Sequence, residues 1–234
     1  MVSDADTESS PSPPDGRPED AARTEASSSN RNIPLDRFNA FSDGVFAIAI
    51  TLLVLELPTP RAADKLFPAL VHEWPAFVAY VTSFAFIGGI WIAHSRMTKL
   101  MRASDSLTYG TNLLLLLLVS LLPFTTSLML AHLMQREDIP LAVSLYGFNV
   151  LLASVTLNLM LVHVAHTPGL VVDDEADDII KATYRERWIP IALNVVALIA
   201  SLFAPVVAVG LYLVQAIVLL VMPLVGVAPP VTDG

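Results

Sequence analysis

Residues Arg37 to Leu57 read RFNAFSDGVFAIAITLLVLEL, and this stretch decides the fold. With Asp36 it makes a run of about 33 Å at ~1.5 Å per residue, enough to cross a hydrocarbon layer of ~30 Å as one helix. On a helical wheel advancing ~100° per residue with Ile48 at the origin, Phe41, Leu52 and Leu55 fall within about 40°. Val45 and Thr51 fall within about 60°, and Arg37 lies close to the same line. Asp43 points roughly 140° away. One face is thus a ladder of large apolar groups ending in a cation. The other carries a carboxylate about two turns into the membrane, where it needs donors from within the protein.

Five further apolar stretches follow: Trp74 to Met97, Tyr109 to Met134, Ile139 to Ala165, Trp188 to Ala204 and Val206 to Val225. The last two are separated by Pro205 and read as a tight hairpin. Pro123 inside the third predicts a kink, because proline removes a backbone donor. The expectation is an all-α, six-span membrane bundle with one repeat per chain. Composition agrees: 54% of the 234 residues are hydrophobic and 15% charged, which sets the chain apart from soluble domains. If the N-terminus is cytosolic, ten of the thirteen Lys and Arg residues fall on inside segments. Arg61, Lys65 and Arg136 are left outside, so the positive-inside rule places both termini in the cytosol of a multi-pass cell-membrane protein.

The net charge of −9 sits largely in two aqueous segments. Residues 1–30 hold seven acids against Arg17 and Arg23 among Ser and Pro, the composition of a disordered cytosolic tail. The remainder, 31–234, is the membrane domain. The run Asp173 to Asp178 reads as a solvated acidic loop. No basic surface invites nucleic acid. With no cysteine, thiolate metal sites and cysteine nucleophiles are excluded. No phosphate-binding glycine loop, nucleophile elbow or zinc-protease helix occurs, so an enzyme is not expected.

Depth supplies the donors for Asp43. The second span runs inward and brings Trp91 and His94 near its cytosolic end; the third starts inside, with Asn112 about one turn in. Ser42, Asp43, Trp91, His94 and Asn112 therefore share one layer, and a polar cluster locking the first helix to the next two is expected. Among weaker signals, His163 and His166 share a helix face but lack further ligands, and no metal site is expected. Asn149, Asn158, Asn194 and Gln215 are isolated intramembrane amides that suit interhelical hydrogen bonds. The Gly88-Gly89 pair suits close helix contact.

Arg37-Phe38-Asn39-Ala40-Phe41-Ser42-Asp43 matches the RxxxFSD signature of the TMEM175 potassium-channel family in its prokaryotic single-repeat form. Gly44 to Leu52, the Trp91 and His94 pair, and Asn112 also resemble that family, over about residues 33–225. The resemblance implies a potassium-selective cation channel, assembled as a homotetramer in lipid, with the first helix around a central pore. It implies that Ile48 forms the tightest apolar ring, with Leu52 and Leu55 as further rings, and that Thr51 supplies a hydroxyl for selectivity. Arg37, Ser42 and Asp43 become packing and hydrogen-bonding groups, in a network with Trp91, His94 and Asn112. Potassium is the permeant ion, and no cofactor is implied. A ring of aliphatic side chains offers an ion no ligands, so such a pore gates by widening and wetting. The alternative is a secondary transporter or proton-coupled carrier in which Asp43 and His94 titrate. Carriers usually place ionisable groups near the midplane, whereas these bunch near one leaflet.

Overall fold

The computed structural model describes residues 35–60 and 65–225. The acidic tail of residues 1–30 lies outside the described residues, as does Arg61. The described chain is helical, in the order α1 (Leu35–Leu52), α2 (Leu66–His72), α3 (Trp74–Leu100), α4 (Ser106–Ser120), α5 (Leu122–Gln135), α6 (Ile139–His166), α7 (Asp174–Glu186), α8 (Trp188–Ser201) and α9 (Pro205–Val225). A 3₁₀ turn, Leu53–Glu56, continues α1 until Leu57 turns extended before Pro58, where proline forbids further helix.

The helix starts have local causes. Asp105 caps α4 and Asp173 caps α7, each accepting from the backbone amide three residues on. Proline occupies the first turn of α3, α5 and α6, where its missing N–H costs nothing. At Pro123 the third apolar stretch divides into α4 and α5. Leu121 between them keeps helical dihedrals and donates to the Leu117 carbonyl, so the division is a kink rather than a turn.

Among the described residues, four helical stretches are long and apolar enough to cross a bilayer: Leu35–Glu56, Trp74–Leu100, Ser106–Gln135 and Ile139–His166. Fourteen-residue α8 spans only about 21 Å and is shorter than the stretch drawn from sequence. Two further elements depart from expectation. The connection between the first and second apolar stretches contains α2, and the acidic run is the first turn of a helix rather than a loop. Its carboxylates face the positive end of the α7 dipole, while Ala176 and Ile180 fix the inner face.

α6 carries the core, with Val143, Tyr146, Val150, Ala153, Leu157 and Met160 sealed from solvent. α9 lies against α3 and α8. Gly89 makes the α3–α9 approach possible: a Cβ there would meet Leu219 Cβ at 2.9 Å and its carbonyl at 3.0 Å. Lipid tails compete equally for apolar faces, so such close packing and the hydrogen bonds between helices hold the bundle.

A candidate pore helix and its polar anchor

Two faces of α1 have separate fates. Phe38, Ser42, Phe46 and Ala49, with Leu53 just beyond, form one buried stripe at helical spacing, centred about 120° from Ile48. The wheel's apolar ladder is uncovered by the rest of the chain. Ile48 is 61% exposed and Leu55 74%, and Phe41, Leu52 and Thr51 are exposed beside them. Only 28% of the apolar window of Leu35–Glu56 is buried, against 56% in each of the other three long stretches. The Thr51 hydroxyl donates to the Ile48 carbonyl, 2.9 Å away, so its proton is held on the helix while its oxygen lone pairs remain free.

The polar layer divides into two contacts. In the first, Ser42, Asn112 and His94 form a buried chain linking α1, α4 and α3. Its direction follows from its end: the Phe38 carbonyl can only accept, so the Ser42 hydroxyl donates to it at 2.9 Å. Ser42 Oγ then accepts from Asn112 Nδ2 at 3.0 Å. That leaves Asn112 Oδ1 as the acceptor for His94 Nε2 at 2.8 Å, so the imidazole carries its proton on Nε2. His94 Nδ1 is buried without a partner among the described residues. Around this chain the rings close in. His94 stacks on Phe38 at 6.0 Å and lies 5.5 Å from Phe46, and Phe38 meets Tyr109 edge-on at 5.2 Å.

The second contact is Trp91 Nε1 donating to Asp43 Oδ1 at 2.8 Å, on an exposed flank of the α1–α3 pair. Asp43 thus has its donor inside the protein but is not part of the buried chain. No hydrogen bond joins it to His94, and Nε2 of His94 leads to an amide oxygen, which relays no proton. Arg37 is exposed and stands outside both contacts.

Sequence reasoning missed three features. The Phe38 and Phe46 rings around His94 belong to the signature segment, but their spacing of eight reads simply as apolar. Asp105 takes His163 Nε2 at 2.8 Å and the Thr108 amide and hydroxyl at 2.9 and 2.6 Å. The Asp105-x-x-Thr108 pattern was a legible cap; its histidine partner, distant in sequence, was not. Burial works to raise the Asp105 pKa, but the bonds from Thr108 and His163 together outweigh it and hold it at about 2. The loops on either side are tied by backbone bonds, Arg102 to Leu170 at 2.9 Å and Val172 to Leu100 at 3.0 Å. Among the described residues no three metal-ligating side chains cluster, and His163 and His166 bind elsewhere.

A family model described as the endosomal/lysosomal potassium channel TMEM175 matches residues 37–123, which contain every residue of both contacts. A potassium channel of Chamaesiphon minutus is 36% identical over 187 residues, 77% of this chain and 91% of that one. One from Streptomyces collinus is 34% identical over 143 residues, 60% and 69% of the two chains. The human endosomal/lysosomal proton channel TMEM175 is 35% identical over 113 residues, 44% of this chain but 22% of that protein. The crystal structure of the lysosomal potassium-selective channel TMEM175 homolog from Chamaesiphon minutus superposes with a TM-score of 0.70 at 32% identity, over 81% of this chain and 97% of that one.

Proposed function

The chain belongs to the TMEM175 potassium-channel family, a family of membrane channels and not of enzymes, and we propose that it conducts potassium through a pore built from α1. One helix cannot enclose a pathway, so several copies must surround an axis; we read the assembly as a homotetramer. In this reading the spans are α1, α3, the kinked α4–α5 pair, α6, α8 and α9, one repeat per chain. Both termini are cytosolic, in the cell membrane.

The observation that carries the proposal is the uncovered arc of α1. Its exposed residues run along one line from Phe41 through Ile48 and Leu52 to Leu55, while the opposite stripe is fixed by rings and hydrogen bonds to α3 and α4. In the assembly Ile48 makes the narrowest ring and Leu52 and Leu55 the next ones. Thr51 offers hydroxyl oxygens beside the pathway. Aliphatic rings pass hydrated ions only when wide enough to stay wet, so small rotations of α1 suffice to gate it. Ser42, Asp43, Trp91, His94 and Asn112 hold the helix rather than bind ions, and Arg37 stands outside that hold. No cofactor enters the mechanism; potassium is the permeant.

Ile48→Asn tests this in liposomes containing the purified protein. Wild type is expected to dissipate a potassium gradient passively. The variant is expected to pass potassium faster and to discriminate less against sodium. Equal flux and equal discrimination in the two proteins would remove Ile48 from the pathway, and flux that requires a proton gradient would favour a carrier.

A further inference from the structure

The inner end of the α6–α8 seam holds a cation, Arg187, that has no anion among the described residues. The buried residues of α8, Pro190, Ile191, Asn194, Ala197 and Ser201, form one stripe, and Arg187, immediately before the helix, continues it at the same spacing. Ser201 meets Ser144 of α6 at 2.6 Å. The helices run antiparallel, so about fourteen residues inward from that contact, roughly 21 Å along each, arrive at Asn158 on α6 and Arg187 on α8. A second contact brackets the pair from the other side: the His166 ring of α6 lies 5.9 Å from Tyr184 of α7.

Arg187 is 5% exposed and Asn158 1%. Nε and Nη2 of the guanidinium, and both polar atoms of the amide, have no partner among the described residues. The ion pairs among the described residues join His163 to Asp105 and Lys181 to Asp177, and neither reaches Arg187. Burial lowers the Arg187 pKa to about 10, which leaves it charged at neutral pH. A buried charge with no counter-charge is among the most costly arrangements a fold can hold, and an oxyanion removes that cost. The planar fork of guanidinium donors fits phosphate in particular. The depth fits as well, because exposed Trp188 beside it is the side chain that anchors at a membrane–water interface.

We propose that Arg187 and the Asn158 amide bind one phosphate group at the inner end of the α6–α8 seam, supplied by a lipid headgroup or by a free anion. The site is distinct from the pore and depends on the pore reading only for the leaflet it faces.

The test uses the full chain in detergent, incubated with phosphatidylglycerol or with diacylglycerol, which lacks the phosphate, and read by native mass spectrometry. A second arm follows the thermal midpoint with inorganic phosphate against chloride at equal ionic strength. Wild type is expected to retain phosphatidylglycerol preferentially, and Arg187→Met to weaken that preference about tenfold or more while eluting like wild type. Should Arg187→Met fail to fold, Asn158→Leu keeps the cation and is expected to weaken retention by a smaller factor. A midpoint shift with phosphate alone, lost in the variants, makes the free anion the source. Wild type showing neither preference nor shift, or variants matching wild type in both, would overturn the site.

Discussion

α1 and α6 have nearly the same hydropathy, 1.9 and 1.8, yet 28% of one window is buried and 56% of the other. Hydropathy states that a helix can cross a membrane; it does not state what the helix touches once there. Small and polar side chains decide that. α6 has Gly147 against the Tyr212 ring, Ser144 on Ser201, Asn149 on Thr125 and Tyr146 on Ser83, so neighbours grip it from several sides. α1 concentrates its grip on the Phe38-Ser42-Phe46 stripe and leaves the arc around Ile48 bare. Lipid would tolerate that arc as well as a pore would. What distinguishes the two helices is therefore the kind of damage that equivalent substitutions should cause.

The largest contrast is between two glycines. A Cβ at Gly147 would collide with the Tyr212 hydroxyl, whereas Gly44 on α1 has nothing within 4 Å. Gly147→Leu should force α6 and α9 apart and destabilise the protein by about 3 kcal/mol, read as a lower thermal midpoint in detergent. Gly44→Leu should leave the midpoint unchanged or raise it slightly, since leucine favours helix over glycine by up to about 1 kcal/mol. Flux through Gly44→Leu should nevertheless fall, because the added side chain enters the arc proposed to face the axis. A normal flux with a normal midpoint would return that face to lipid.

The next contrast concerns hydrogen bonds. Asn112→Leu removes the middle of the Ser42–Asn112–His94 chain, leaves the buried His94 Nε2–H without a partner and strips Ser42 Oγ of its donor, at a cost of about 2 kcal/mol or more. The corresponding change on α6, Asn149→Leu, removes one long bond of 3.3 Å together with an oxygen that has no partner, and should cost under about 1 kcal/mol. Thermal midpoints of the two variants, measured side by side, check the order. Equal shifts would mean that α1 is no more dependent on its polar anchor than α6.

The long apolar stretches and the Pro123 kink were legible because length and proline act locally. α7 was not, because its acids resemble a loop until Asp173 is seen capping them and Ile180 is seen buried. The polar layer was legible in membership but not in partition. Height along the membrane follows from counting residues, whereas direction depends on the azimuth of each side chain. Ser42 and Asp43 differ by about 100° on the wheel, so they cannot reach one cluster: Ser42 faces Asn112 while Asp43 turns to Trp91. The same arithmetic separates the exposed Ile48 arc from Asp43. Arg187 escaped notice because a basic residue at the end of a span looks like topology, and only burial reveals that it lacks a counter-ion among the described residues.

The smallest expected effect lies where the α3–α4 loop meets the end of α6. Asp105 is held at a pKa of about 2, below the ordinary carboxylate value of 3.8, by bonds from Thr108 and His163 that outweigh the cost of burial. A depressed pKa in the folded state means that the ionised carboxylate stabilises the protein above its unfolded value. The contribution is lost as pH falls from about 4 to about 2. The carboxylate side chain is 38% exposed, so solvent screens it and the contribution should stay below about 1 kcal/mol. Asp105→Asn keeps one oxygen for the Thr108 amide, since asparagine caps helices as well as aspartate, but removes the charge and the second oxygen that accepts from His163. Between pH 5 and pH 3 the wild-type midpoint should therefore fall by about 2 °C more than that of the variant. Parallel curves would mean that the Asp105 charge and its contact to His163 of α6 add nothing to stability, and that the residue serves α4 as a helix cap alone.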